Sequence, residues 1–412
     1  MKILFIHQNF PAQFLHLAPA LAAAGHDVTA LTLRDLGTNE WKGVRVIRYG
    51  LSGKNTKGIS PWILDFESKI IRARGCLTYA TKLAEKGYTP SVIVAHPGWG
   101  ESLFIKQVWP DSLLKIYCEY FYNPSGFDVG FDTEFFPHDE AQKSRVGLKN
   151  AHLLLNFQSA DGGLSPTRFQ ASTFPAHFKD KISVVHDGID TQALKPNADA
   201  YFTLTNGDVL TRNDEVITFV SRALEPYRGF HIFMRSLPKL LAERPNAVVI
   251  IVGFEGISYG QDAPNGTSWK QLLCSQIFPT LSEGQISRLH FVGTLSRPQF
   301  TSLLQVSRAH VYLTYPFVLS WSLIEAMSIG CAIVASDTEP VREVIEHKKT
   351  GILVDFFDHN QLAESISAVL DNAQIRATLA ARARKFAIEN YDLHKVCLPK
   401  QISWVTDNLG SE

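Results

Sequence analysis

Cysteine is scarce in this chain and carries no pattern. Cys76, Cys118, Cys274, Cys331 and Cys397 are odd in number and never in C-x-x-C spacing. Such a set excludes a disulfide framework or a thiolate zinc site and fits reduced thiols. An excess of one charge is missing too. Forty basic residues balance forty acidic ones, so a nucleic-acid binder is not indicated. No apolar run approaches the roughly 18 residues of a membrane span. The opening MKILFIHQNF has one lysine and an apolar run cut short by His7 and Gln8, which reads as a first strand and not as a signal peptide. A cytoplasmic location is expected. HExxH and DxD motifs are absent, and chemistry that needs neither a metal nor a covalent nucleophile is favoured. Glycine is absent from the first strand–helix loop, Gln8-Asn9-Phe10-Pro11-Ala12-Gln13. A dinucleotide pyrophosphate would have little room against that backbone, which disfavours an NAD or FAD enzyme.

What remains is an α/β chain. At 412 residues it exceeds what one core usually supports. Residues 2–7 and 26–32 read as strands around an apolar helix from Phe14 to Ala24, a βαβ unit at the start. Val44–Tyr49, Ser91–His96 and Leu114–Cys118 continue the strand series, as do Leu153–Asn156 and Ile182–His186. A long helix is expected from about Pro61 to Lys86. Its aromatic and basic residues between 61 and 74 suit docking to an anionic lipid surface at the inner membrane face; the pattern alone favours a core helix with a solvated face. Residues 197–214 are polar and pattern-free and are expected to be a linker between an N-terminal domain, 1–196, and a C-terminal one, 215–390. The α/β alternation restarts at Glu215, so two facing nucleotide-fold domains with a cleft between them are predicted. The clearest unit is Ala309–Glu346: an apolar strand, a turn at Ser320-Trp321-Ser322, a helix closed by Gly330, and a second strand, Cys331–Ser336.

Ligands in open parallel sheets sit beyond the carboxyl ends of strands, so residues there are the candidates. Arg222 and Arg228 follow one strand, and a guanidinium suits phosphate. The helix start near Ser320 is ready for an anion. Glu325 reads equally as half of a Ser322-x-x-Glu325 capping box or as a carboxylate for vicinal hydroxyls. His96 ends a strand and could donate to a substrate hydroxyl, or be structural. Asp128 and Asp132, in the aromatic loop after Tyr122, read as a solvated pair.

Five segments in order, ILFIHQNFPAQFLHLAPALAAAGHDV, VVHDGIDTQALKP, SRALEPYRGF, HFVGTLSRPQF and VLSWSLIEAMSIGCAIVASD, resemble a family 4 glycosyltransferase of the GT-B fold, over nearly the whole chain. The resemblance implies two Rossmann-like domains, with residues 391–412 as a helix crossing back to the first. It implies retaining, metal-independent transfer of a sugar from a nucleotide diphosphate-sugar, by default a UDP-sugar, to a saccharide or lipid-linked glycan. That donor is a substrate, and no cofactor is expected. Arg222 and Arg228 would bind the diphosphate, and Glu325 the ribose. Amides of Leu319, Ser320 and Trp321 would contact phosphate, Val292, Gly293 and Thr294 the base, and Gly253 would also line the donor site. His96 would face the sugar, and Trp99, Glu119, Tyr120 and Tyr122 would form the acceptor side. One position departs from the family: Phe317 stands where its E-x7-E pattern has the first glutamate. A nucleotide-sugar-binding partner subunit without activity, or an epimerase of similar fold, are the competing readings.

Overall fold

The computed structural model describes residues 1–136 and 140–407. The chain forms two compact units, 1–188 with 394–412 and 189–393. Unit 1 is built on an eight-stranded sheet: β1 Lys2–Ile6, β2 Asp27–Thr32, β3 Glu40–Trp41, β4 Val44–Arg48, β5 Val92–Ala95, β6 Leu113–Tyr117, β7 Gly162–Ser165 and β8 Ile182–Val184. The order is β3-β4-β2-β1-β5-β6-β7-β8, parallel except where β3 meets β4. β1 pairs with β2 through Ile3↔Val28 and with β5 through Ile3↔Val92. Its side chains alternate between two cores, Ile3 and Phe5 on one face, Leu4 and Ile6 on the other. Burial on both faces explains why the strand reads as an unbroken apolar run.

Residues 394–407 complete this unit. The helix Leu398–Thr406 seats Val405 in the core with Ile3 and Phe5. Lys115, in the middle of β6, is buried, and its ammonium donates to the carbonyls of Trp404, Val405 (3.3 Å) and Asp407 (2.9 Å). A cation on the last carbonyls of a helix satisfies groups that have no partner within the helix.

Unit 2 begins with an antiparallel hairpin, β9 Tyr201–Thr203 and β10 Val209–Thr211. Six parallel strands follow: β11 Glu215–Ala223, β12 Ala247–Phe254, β13 Leu289–Gly293, β14 Ala309–Tyr312, β15 Ile333–Ser336 and β16 Ile352–Val354, in the order β13-β12-β11-β14-β15-β16. The chain turns back at β11, which pairs with β12 through Ile217↔Val249 and with β14 through Ile217↔Ala309. This is the doubly wound arrangement, and the crevice for a ligand lies beyond β11 and β14. The inner strands of unit 1 have the same arrangement, with the reversal between β1 and β5.

Several expectations are corrected. Residues 197–214 are no free linker: Ala200, Phe202, Leu204 and Leu210 pack with Val216 and Ile250 in a core of unit 2. Residues 189–196 also belong to unit 2, and the chain re-enters unit 1 at His394 instead of 391. Leu153–Asn156 lies within a helix, Ala151–Ser159, with Leu154 and Leu155 exposed. A short apolar run does not separate strand from helix by itself. The long helix begins at Leu64, with Trp62, Ile63 and Leu64 exposed and Ala73, Cys76, Ala80 and Leu83 buried. Asp128 and Asp132 are buried, not solvated; Tyr120 donates to Asp128 at 2.7 Å. Among the described residues no helix is long and apolar enough to cross a membrane.

Candidate functional site

The carboxyl edge of the unit 2 sheet gathers most of the expected donor residues. β11 runs on to Ala223, which leaves Arg222 exposed at its end. Pro226 then starts a single 3-10 turn, Pro226–Arg228, and Gly229 closes it at φ +66. A Cβ at Gly229 would stand 2.3 Å from that of Leu313, so only glycine lets this turn pack against the residue after β14. Arg228 is thereby turned inward. One guanidinium nitrogen donates to Thr314 Oγ1 (2.8 Å), to the Val318 carbonyl (2.9 Å) and to the Tyr312 hydroxyl (3.4 Å). Burial works to lower its pKa, but Tyr312, Tyr259 and Glu225 outweigh it and the net shift is upward. The cation is retained.

Glu225 is fully buried and accepts the backbone amides of Ser258 (3.2 Å), Tyr259 (3.2 Å) and Gly260 (3.0 Å). It ties the glycine-rich loop after β12 to the same turn. Burial pushes its carboxyl above the usual range, against the pull of those amides. Phe317, 2 % exposed, meets Tyr227 and Tyr259 edge-on at 5.3 and 4.9 Å, and the Arg228 guanidinium lies 5.9 Å from its ring. An apolar wall thus occupies the position where a carboxylate was expected.

The helix Trp321–Ile329 starts at Ser320, whose side chain makes no cap bond and contacts Ser322 Oγ at 3.0 Å. The Ser320 amide is not an open donor, because it already binds the Tyr312 hydroxyl at 2.9 Å. Leu319 is a core residue, and Trp321 is 40 % exposed. Glu325 closes no capping box. It accepts from Arg297 Nη2 at 2.5 Å, an arginine that opens the helix after β13. Val292, Gly293 and Thr294 end β13, partly or fully open to solvent. Gly253 ends β12, where a Cβ would stand 2.8 Å from Leu224 Cδ2.

Unit 1 holds a second cluster, at its own strand reversal. His96 follows β5 and caps the turn Pro97–Trp99, its Nδ1 accepting from the Gly98 amide at 3.1 Å. That leaves Nε2 to carry the proton in the neutral ring, and it lies 3.5 Å from Glu119 Oε2. His7, the residue after β1, accepts from the Asn9 amide on Nδ1 (2.9 Å) and so donates from Nε2 to Gln13 Oε1 (2.8 Å). Gln13 Nε2 donates in turn to Glu119 Oε1 at 3.1 Å. His96 stacks on Tyr117 (5.4 Å) and contacts Trp99 (4.6 Å), and the Tyr117 hydroxyl donates to Asp187 at 2.9 Å. Burial, then the neighbouring His96, holds His7 at about 3, so it is neutral. Burial would raise Glu119, but His96 and Gln13 outweigh it and hold the carboxyl below its usual range. Tyr120 and Tyr122 stand apart from this relay. They meet edge-on at 5.3 Å, and the Lys149 ammonium covers Tyr122 at 3.5 Å.

His7, Gln13, Tyr117, Asp187, Glu225, Tyr259 and Arg297 were not anticipated. His7 had the same signal as His96, a polar residue directly after an apolar strand. Among the described residues, no three His, Cys, Asp or Glu side chains form a metal-binding group.

Known proteins carry the same two-part pattern. Residues 24–194 match the family profile "Glycosyl transferase family 4 group", and residues 206–386 match "Glycosyl transferases group 1". The phosphatidyl-myo-inositol mannosyltransferase of Mycolicibacterium smegmatis is 27% identical over 189 residues, 45% of this chain and 43% of that protein. The chain spans about half the length of the curated relatives it matches. Two solved structures superpose over 98% of both chains at 17% identity: Anabaena HepE in complex with UDP-glucose, TM-score 0.67, and sucrose-phosphate synthase from Thermosynechococcus elongatus, TM-score 0.72. They establish the fold, GT-B with two Rossmann-like units. With both halves matched in order, this chain belongs to the family 4, group 1 glycosyltransferases.

Proposed function

We propose that the protein transfers a sugar from a nucleotide diphosphate-sugar, a UDP-sugar in the first instance, to a hydroxyl of a saccharide or lipid-linked glycan, with retention and without a metal. The observation that carries this is the crevice between β11 and β14, where Arg228, Arg222 and the start of the helix Trp321–Ile329 collect. In transfer, the bond between the anomeric carbon and the diphosphate oxygen breaks while a bond to the acceptor oxygen forms on the same face. The departing phosphate takes the acceptor proton. The charge that builds on the diphosphate is met by Arg228, held in place by Thr314 and the Val318 carbonyl, by the exposed Arg222 and by the positive end of the helix dipole. Glu325 takes the ribose hydroxyls, with Arg297 holding its carboxylate in place.

Support for UDP comes from the structure of HepE, solved with UDP-glucose. Support for a lipid-linked acceptor comes from the mannosyltransferase named for phosphatidyl-myo-inositol. Phe317 suits a sugar that offers an apolar edge there, such as a deoxy or otherwise modified one. In unit 1, His96 and the relay behind it present a polarised N–H for a sugar hydroxyl, and Trp99 a face for stacking.

The test is transfer from a panel of UDP-, GDP- and ADP-sugars to saccharide acceptors, with and without chelator. The native protein should turn over one donor, and Arg222→Ala should lower kcat/KM by about 10²-fold with unchanged thermal unfolding, because Arg222 is exposed. Unchanged transfer in that variant would refute the assignment. Donor turnover without any acceptor would point to an epimerase instead.

A further inference from the structure

The opposite, amino-terminal edge of the unit 2 sheet carries another basic site. A cavity of about 250 Å³ opens there, and three of its lining residues are arginines. Arg212 lies just before β11, Arg308 directly before β14, and Arg376 in the first turn of the helix Ala373–Tyr391. The rest of the wall is small, mainly Ser307, Gly330 and alanines. Space is left in front of the guanidinium groups.

Two of the three are held in place. Arg308 donates to the carbonyls of Arg212 and Asn213, each at 2.9 Å. Arg376 donates to those of Val369 and Leu370 at 3.1 and 2.9 Å, at the end of the preceding helix. Carbonyls orient a guanidinium without cancelling its charge. The nearby carboxylates are committed elsewhere: Glu215 and Asp371 both pair with Arg244, and Asp214 accepts the amide and hydroxyl of Thr211. The Arg212 guanidinium is exposed and makes no hydrogen bond or ion pair among the described residues. Burial, then the charges of Arg308 and Arg212, draws Arg376 below its ordinary pKa, although Glu215 pulls the other way. Like charges kept around an open cavity repel one another, and an anion placed among them would relieve that repulsion.

We infer that this cavity binds a phosphate group, as the free ion or as the phosphomonoester of a small metabolite. Guanidinium forks match its oxygens. The site is separate from the nucleotide crevice, since the two lie at opposite ends of the same strands. Occupancy would also tie Arg212, and with it the approach to β11, to the helix that starts at Ala373. The inference does not depend on the sugar-transfer reading.

Thermal unfolding of the full chain tests it, with inorganic phosphate or glycerol 3-phosphate added against sodium chloride of equal ionic strength, and UDP present throughout to fill the other edge. Phosphate should raise Tm beyond the chloride control. Arg212→Ala, which removes a side chain with no structural partner, should weaken the apparent affinity about tenfold, and Arg376→Gln should abolish the shift. Tighter binding of glycerol 3-phosphate than of phosphate would assign a phosphomonoester, and the reverse order the free ion. A shift no larger than that of chloride, or one of equal size in Arg212→Ala, overturns the proposal.

Discussion

Both units reverse their strand order at the same point, β1 against β5 in one and β11 against β14 in the other, yet the two crevices hold opposite chemistry. At the unit 1 reversal stand two imidazoles, an amide and a carboxylate in a linked polar series. The unit 2 reversal holds a buried cation against tyrosine and phenylalanine rings, with an exposed arginine and a helix start nearby. A shared topology sets where a ligand binds, and the loops decide its charge. On the proposed reading, the first crevice orients protons toward hydroxyls and the second holds an anion.

The sharpest way to break this contrast is to remove the cation. Arg228→Ala would leave Thr314 Oγ1 and the Val318 carbonyl without their donor. Transfer should fall by about 10²- to 10³-fold, and unit 2 should lose about 2–4 kcal/mol of stability. Arg228→Lys keeps a charge but loses the fork, and should recover part of the activity. If alanine is tolerated in both assays, the crevice is not organised around that cation.

Acid should separate the units next. In unit 1, burial keeps His7 and His152 at about 3 and His186 at about 4, while in unit 2 His310 is held at about 4 and the partly buried His290 is lowered as well. A folded pKa below the unfolded ~6.5 means that the unfolded chain binds more protons, so stability falls as pH drops from about 6 toward 4. Burial-raised Glu101 in unit 1 and Glu225 in unit 2 offset part of this, one in each. One more lowered histidine in unit 1 than in unit 2 corresponds to about 1.4 kcal/mol per pH unit of extra slope. Hydrogen exchange followed from pH 7 to 4 should show unit 1 opening first; parallel loss in both units would remove this distinction.

The smallest effect sharpens the unit 1 half. Gln13→Ala cuts the relay between His7 and Glu119, costing about 1 kcal/mol. Because Gln13 helps to hold Glu119 low, its loss raises that carboxyl, so the acid limb of the kcat profile should move to higher pH. A merely structural glutamine would change stability and leave the profile in place.

Much of this frame was legible from residue patterns. The unit Ala309–Glu346 reads directly, down to Gly330, which ends its helix at φ +84. Strand ends placed His96, Arg222 and Arg228 at a carboxyl edge because apolar runs stop there. What did not read was anything decided by distant partners. Glu325 has capping-box spacing, but Arg297, 28 residues earlier, takes its carboxylate. Gln13 appeared only as a missing glycine, since its bond to Glu119 spans 106 residues. Gly162–Ser165 was missed as a strand because GGLS shows neither alternation nor β-branched residues, although all four are buried in the sheet. Asp128 looked solvated because a buried carboxylate is recognised only by its donor, Tyr120.

The place of Lys115 has a consequence for how the molecule is made. Its ammonium sits inside β6 with carbonyls of residues 404–407 around it, and Val405 fills the core beside Ile3. During synthesis the first 188 residues emerge with a buried lysine that has none of those acceptors. Unit 2, continuous in sequence from 189 to 393, is translated between the two parts of unit 1. The unit whose translation begins first is therefore the one that can be completed only at the end, when residues 394–407 supply the acceptors for Lys115 and the side chain of Val405.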